Sequence, residues 1–130
     1  MSTRANILIK CGENQIWLYR HFDGYLSETG YNLASILANS KSFNGFLYEL
    51  LNQKYEPNIH RQSQKVYEFT SGMHGDIEYL YTLEFSNKTR FSVKFTVETV
   101  MKEEILIETD FFTVTRDNIS LGLKEIIDSK

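Results

Sequence analysis

Hydrophobic and polar positions alternate most regularly between Ile77 and Val97. Ile77, Tyr79, Tyr81, Leu83 and Phe85 share one parity. After Ser86-Asn87-Lys88-Thr89, Phe91, Val93, Phe95 and Val97 repeat the pattern opposite Arg90, Ser92, Lys94 and Thr96. A period of two on both sides of a turn predicts a β-hairpin with one buried and one water-facing side. Ala5 to Lys10 and Gln15 to Phe22, joined by Cys11-Gly12-Glu13-Asn14, predict a second hairpin. Its second strand places Ile16, Leu18, Arg20 and Phe22 on the core face, and Trp17, Tyr19 and His21 on the other. Val66 to Thr70 reads as a short strand, and Ile105 to Thr115 as a further one.

Elsewhere the spacing is helical. Leu33, Ile36 and Leu37 mark a short amphipathic segment. Phe43, Phe46, Leu47, Leu50 and Leu51 mark a stronger one, with Ser42 as its N-cap and Pro57 beyond its end. Asp117 is placed to cap a terminal helix carrying Ile119, Leu123, Ile126 and Ile127. Ser27 to Gly30 and the polar run Asn58 to Lys65 read as loops. The expected architecture is a single α+β domain over residues 1–130: an antiparallel sheet of five to six strands with helices packed on one face.

Composition narrows the classes. With 42% hydrophobic residues and one proline in 130 residues, the chain can bury a core and is not a disordered segment. Its net charge of −3 argues against general nucleic-acid binding, which needs a clustered positive surface. Cys11 is the one cysteine, so no internal disulfide forms and no cysteine metal set exists, which fits a reducing cytoplasm. The apolar run near the N-terminus is too short for a signal sequence, and no stretch approaches the ~20 apolar residues that span a bilayer.

Two stretches concentrate the chemistry: Trp17 to Tyr25, and His74-Gly75-Asp76-Ile77-Glu78-Tyr79. Arg20 offers a planar fork for phosphate or carboxylate, His21 a proton near neutral pH, and Asp23 a turn cap or acid. His74, Asp76 and Glu78 share parity if that segment is extended, and with His21 they form a candidate metal or acid–base set. No dedicated metal-ligand spacing, phosphate loop, dinucleotide fingerprint or nucleophile elbow accompanies them, so no metal, cofactor or catalytic residue is assigned. Trp17, Tyr19, Tyr79 and Tyr81 suit base stacking, Trp17 and Tyr19 with neighbouring tyrosines such as Tyr25 suit a protein interface, and Arg61 in the polar loop is a second cation for an anionic ligand. Arg20 to Tyr25 leaves one hairpin and His74 to Tyr79 enters another, and an antiparallel sheet places such strand ends along a shared edge. This predicts that these two segments meet on one surface, with Arg20 or His21 pairing to Asp76 or Glu78. That meeting serves equally as a ligand site or as a structural clasp.

Ser2-Thr3-Arg4-Ala5-Asn6-Ile7, Leu18-Tyr19-Arg20-His21-Phe22-Asp23-Gly24-Tyr25 and His74-Gly75-Asp76-Ile77-Glu78-Tyr79-Leu80-Tyr81 resemble a group of small uncharacterised proteins of bacteriophages and prophages. Leu26 stands where such proteins often carry proline. The resemblance implies a location in the host bacterial cytoplasm and an accessory role, for which counter-defence inhibition is the expectation. The partner is then a host defence protein or an anionic nucleotide signal, with no membrane involved and the oligomeric state open. A small metal-assisted hydrolase using His21, His74, Asp76 and Glu78, or a structural component of the virion, are the alternatives.

Overall fold

The computed structural model describes residues 3–55, 64–86 and 91–129, the side chains of 117–121 excepted. Arg61, Pro57 and most of the polar run 58–65 therefore lie outside the described residues, as do most of the turn at 86–89 and the Ile119 side chain. Two strands open the chain, β1 (Ala5–Cys11) and β2 (Asn14–Arg20), paired antiparallel from Ala5 opposite Arg20 to Cys11 opposite Asn14. Gly12 makes the tight turn at φ 62°, a left-handed value that costs glycine no Cβ clash. Cys11 is the last residue of β1 and is buried, where the sequence suggested a turn position.

Leu26–Gly30 forms a π-helical turn running directly into α1 (Tyr31–Ala38). The expected loop is helical because Leu26, Thr29 and Gly30 are all buried, and the Thr29 hydroxyl donates to the Asp23 carbonyl at 2.8 Å. α2 (Phe43–Leu51) begins as expected at Ser42, whose Oγ accepts from the Gly45 amide at 3.1 Å. Then come β3 (Glu68–Thr70), β4 (Tyr79–Phe85), β5 (Ser92–Thr99), β6 (Glu104–Glu108), β7 (Phe112–Thr113) and α3 (Arg116–Asp128).

The fold class is α+β. Among the described residues, seven strands form one sheet in the order β3-β2-β1-β4-β5-β6, with β7 also on β5. The sheet is mixed, which corrects the antiparallel expectation: β1 and β4 run parallel, Ala5 opposite Tyr79 and Cys11 opposite Phe85. Helices α1 and α2 intervene between β2 and β4, and that long crossover returns the chain to the end where β1 started. The strand expected over Ile105 to Thr115 is two strands. At the break Thr109 bridges to β5, its amide donating to the Phe95 carbonyl at 3.1 Å and its Oγ1 accepting from the Phe95 amide at 2.8 Å. α3 begins at Arg116, so Asp117 is its second residue and not the residue before it.

One face of the sheet carries Ile7, Leu18, Tyr81, Leu83, Phe95 and Val97, all essentially inaccessible. It packs with Leu33, Leu37, Phe46, Leu50, Leu123 and Ile127 of the helices in a single core, so the helices lie on one face as expected. Each such buried side chain contributes about 1.5–3 kcal/mol. Among the described residues no helix of that core covers the other face, and its Leu8, Trp17, Tyr19, Leu80 and Thr82 are half-buried. No helix among the described residues is long and apolar enough to cross a membrane.

Candidate functional site at the start of β1

The parallel pairing of β1 with β4 explains how the two chemistry-rich stretches meet. Ala5 lies opposite Arg20 on one side and opposite Tyr79 on the other. The end of β2, the start of β1 and the start of β4 are therefore side by side at one end of the sheet. Gly24 presses against this point: its amide donates to the Thr3 carbonyl at 2.8 Å, and a Cβ there would stand 2.9 Å from both that oxygen and the Ala5 Cβ. Tyr81 is fully buried, which removes it as a stacking candidate; it fixes Gly24 from the core side, its hydroxyl donating to the Gly24 carbonyl at 2.8 Å.

The segment from His74 is held by Asn6. Asn6 is fully buried, its Nδ2 donating to the Leu18 carbonyl at 2.8 Å and its Oδ1 accepting from the His74 amide at 2.7 Å. The His74 ring then lies flat on Tyr19, with centroids 4.0 Å apart and an interplanar angle of 15°. His74 Nε2 shares a 2.7 Å hydrogen bond with Thr70 Oγ1.

Arg4 completes the cluster. Its Nε is 3.3 Å from Asp76 Oδ2 and donates to His21 Nδ1 at 3.4 Å. The Tyr19 hydroxyl is 3.2 Å from that same Nδ1 and 3.5 Å from that same Oδ2. Two single-proton donors thus face the same two acceptors, and each proton has two places to go. Partial burial, and then the Asp76 charge, raise the Tyr19 pKa above the ordinary tyrosine value against the opposing pull of Arg4. The side chains of Arg4 and Asp76 are 35% and 52% exposed, so the cluster stays open to solvent.

The two stretches are neighbours, as the sequence led one to expect, but the pairing partner differs. Neither Arg20 nor His21 bridges to Asp76 or Glu78; Arg4 takes the carboxylate, and His21 joins through Arg4 and Tyr19. Arg4 and Asn6 were not singled out from the sequence. The available signal was Asn6, a polar side chain interrupting an apolar strand.

Arg20 faces the core. It is 5% exposed, and its guanidinium lies over the rings of Tyr55 and Tyr67 at 5.6 and 5.5 Å. Its Nε donates to the Phe22 carbonyl at 2.7 Å and NH1 donates to the Tyr67 hydroxyl at 3.2 Å. The Tyr67 hydroxyl in turn donates to Asn32 Oδ1 at 2.6 Å, and Tyr55 both donates to the Phe22 carbonyl and accepts from the Phe22 amide. Burial works against the charge, but the two tyrosine oxygens outweigh it and the Arg20 pKa is raised.

The remaining expected residues fall around the cluster. Trp17 is half-buried on the sheet face opposite the core, its strand neighbours being Leu8 and Thr70. Asp23 takes φ 56° at the turn, and Tyr25 is 37% exposed. Asp76, Glu78 and Tyr79 line a cleft of about 610 Å³ at the same end of the sheet. A Cβ on Gly75 would meet open space. Among the described residues, no three His, Cys, Asp or Glu side chains are grouped to hold a metal ion. At Asp76 a cation is already supplied by the chain itself, as Arg4. No protein-family model, curated protein or solved structure matches this chain.

Proposed function

We propose that this chain is a non-enzymatic accessory protein of the phage type, a counter-defence inhibitor that binds a host defence protein in the bacterial cytoplasm. The setting rests on the resemblance of Ser2 to Ile7, Leu18 to Tyr25 and His74 to Tyr81 to small phage and prophage proteins. The choice of a protein partner over a nucleotide signal rests on one observation: Arg20, the cation best suited by sequence to clamp a phosphate, is buried between Tyr55 and Tyr67. Around the neighbouring cleft stand three carboxylates, Asp76, Glu78 and Glu104, against Lys102 and the Arg4 guanidinium bound to Asp76, which leaves a net negative charge. Phosphate would meet repulsion there. Trp17 and Tyr19 offer large, partly covered rings on a face that no helix of the core covers, the residue types that anchor protein interfaces.

The test compares the wild-type chain with Trp17→Ala, both immobilised in extract of a bacterial host, alongside calorimetry with cyclic and ADP-ribose-type nucleotides. The expected result is stoichiometric retention of one host protein, lost in Trp17→Ala at an unchanged melting temperature, and no heat with any nucleotide. Nucleotide heat that disappears in Arg4→Ala would replace this reading with signal sequestration.

A further inference from the structure

We propose that the cleft beside Asp76 receives a basic side chain, lysine or arginine, from a segment of the protein partner. This rests on the binding reading above and names the chemistry of what is bound. The cleft lies between the start of β4 and the turn joining β5 to β6. Its apolar lining comes from Tyr79 and Leu106, both half-buried, and from Met101, with the buried Ile77 behind them and Thr99 adding a hydroxyl. Its rim carries three carboxylates, Asp76, Glu78 and Glu104, against one ammonium, Lys102.

Two of those carboxylates are unspent. Asp76 is bound to Arg4, whereas Glu78 and Glu104 are exposed and have no ion-pair partner among the described residues. The backbone holding them is braced. The Glu78 amide donates to the Arg4 carbonyl at 2.9 Å, and the Val100 amide donates to the Glu78 carbonyl at 3.0 Å. Across the turn the Glu104 amide donates to Thr99 Oγ1 at 3.3 Å, with Glu103 at φ 51°. Apolar walls with a net negative rim suit a long aliphatic stem that ends in a cation. An acidic or phosphorylated segment would be repelled, and a purely apolar one would leave the rim charges unmatched. Met101 lies at this cleft with 83% of its surface exposed, a flexible thioether free to fold over an incoming stem.

The probe is tri-arginine amide, titrated into the isotopically labelled chain by NMR, with tri-glutamate as the control. Expected are shifts confined to the amides around Glu78 and Met101 to Glu104, and none with tri-glutamate. Replacing both free carboxylates (Glu78→Gln with Glu104→Gln) weakens tri-arginine binding about tenfold. Lys102→Glu tightens it about threefold, a gain that misfolding does not mimic. Raising salt from about 50 mM to about 500 mM removes most of the affinity. Shifts spread over every acidic surface residue, or no change in either variant, would overturn the proposal. If Trp17→Ala still abolishes retention of the host protein while tri-arginine ignores the cleft, the binding reading stands and this one falls. If tri-arginine binds the cleft but no host protein is retained, the cleft chemistry stands and the counter-defence reading falls.

Discussion

Arg20 and Arg4 flank the same corner of the sheet, the first between Tyr55 and Tyr67 and the second beside Tyr19, and their surroundings put them to opposite uses. Arg20 is 5% exposed between two rings, and its guanidinium donates to a carbonyl and a phenol. Arg4 is 35% exposed and shares one N–H between a carboxylate and an imidazole. The buried arginine ties β2 to Tyr67 and through it to Asn32 of α1, so its interactions are part of the fold. Those of the half-exposed arginine can be exchanged for contacts to a partner at little cost, because solvent already shares them. The residue types are the same. Burial decides which set is structural and which is available.

The largest effect should come from breaking the buried member. Arg20→Ala removes a guanidinium filling the space between Tyr55 and Tyr67 and should cost about 3 kcal/mol or more in urea titration. Arg20→Lys should recover less than half of that, since an ammonium has no planar fork to lie between two rings. Arg4→Ala should cost under about 1 kcal/mol. Equal losses at the two positions would erase the contrast.

Alkali tests the same contrast without mutation. Burial raises the pKa values of Tyr55, Tyr67 and Tyr81 above the ordinary tyrosine value. A folded pKa above the unfolded one, near 10, means the folded state prefers the neutral phenol. That stability is complete below pH ~10 and is lost as pH rises from there through the folded values. Tyrosinate absorbance should therefore appear in two phases, exposed rings first and the buried three together with unfolding. A single smooth titration at constant near-UV dichroism would contradict the burial of this group.

Asn6→Ala should cost about 2 kcal/mol, because it leaves the Leu18 carbonyl and the His74 amide without their partner. Its second consequence is specific to this corner. Amide exchange should quicken from His74 to Asp76 and leave the Tyr55–Tyr67 side unchanged.

Much of this arrangement is legible in the chain. Period-two alternation assigns Leu18 and Arg20 to the core face and Trp17 and Tyr19 to the other, and Ser42 marks the start of α2. The same alternation says nothing of direction, so it does not reveal that β4 lies parallel to β1. It also cannot show where a strand breaks. Ile105 to Thr115 remains apolar enough to read as continuous, and only the bonds of Thr109 to Phe95 mark the interruption. Composition and strand ends bring Arg20 to Tyr25 near His74 to Tyr79, but the antiparallel edge invoked for it is in fact the parallel pair of β1 and β4, and the direct contacts to His74 and Asp76 come from Tyr19, one residue earlier. The mediators Arg4 and Asn6 were not legible, because each acts through partners at least 12 residues away in the chain. Arg20 illustrates the converse: its parity placed it on the core side, yet its chemistry suggested a ligand.

The smallest stability effect is the most informative about function. Asp76 meets Arg4 at 3.3 Å, the Tyr19 hydroxyl at 3.5 Å and His74 Nδ1 at 4.0 Å, with about half of its side chain in water. A clasp between the two stretches and a partner-binding corner would share this geometry, but they differ in what Asp76→Asn removes. Asparagine keeps the shape and still accepts from Tyr19, so only the charge is lost. An ion pair this exposed is worth roughly 0–1 kcal/mol, and the loops it joins are held independently by Asn6, Gly24 and the Tyr19–His74 stack. Melting should therefore shift by less than about 1 kcal/mol, while retention of the host protein weakens severalfold as Arg4 is left unneutralised at the contact. A drop in stability comparable to that of Arg20→Ala, with binding intact, would instead make Asp76 a clasp and return this corner to the fold.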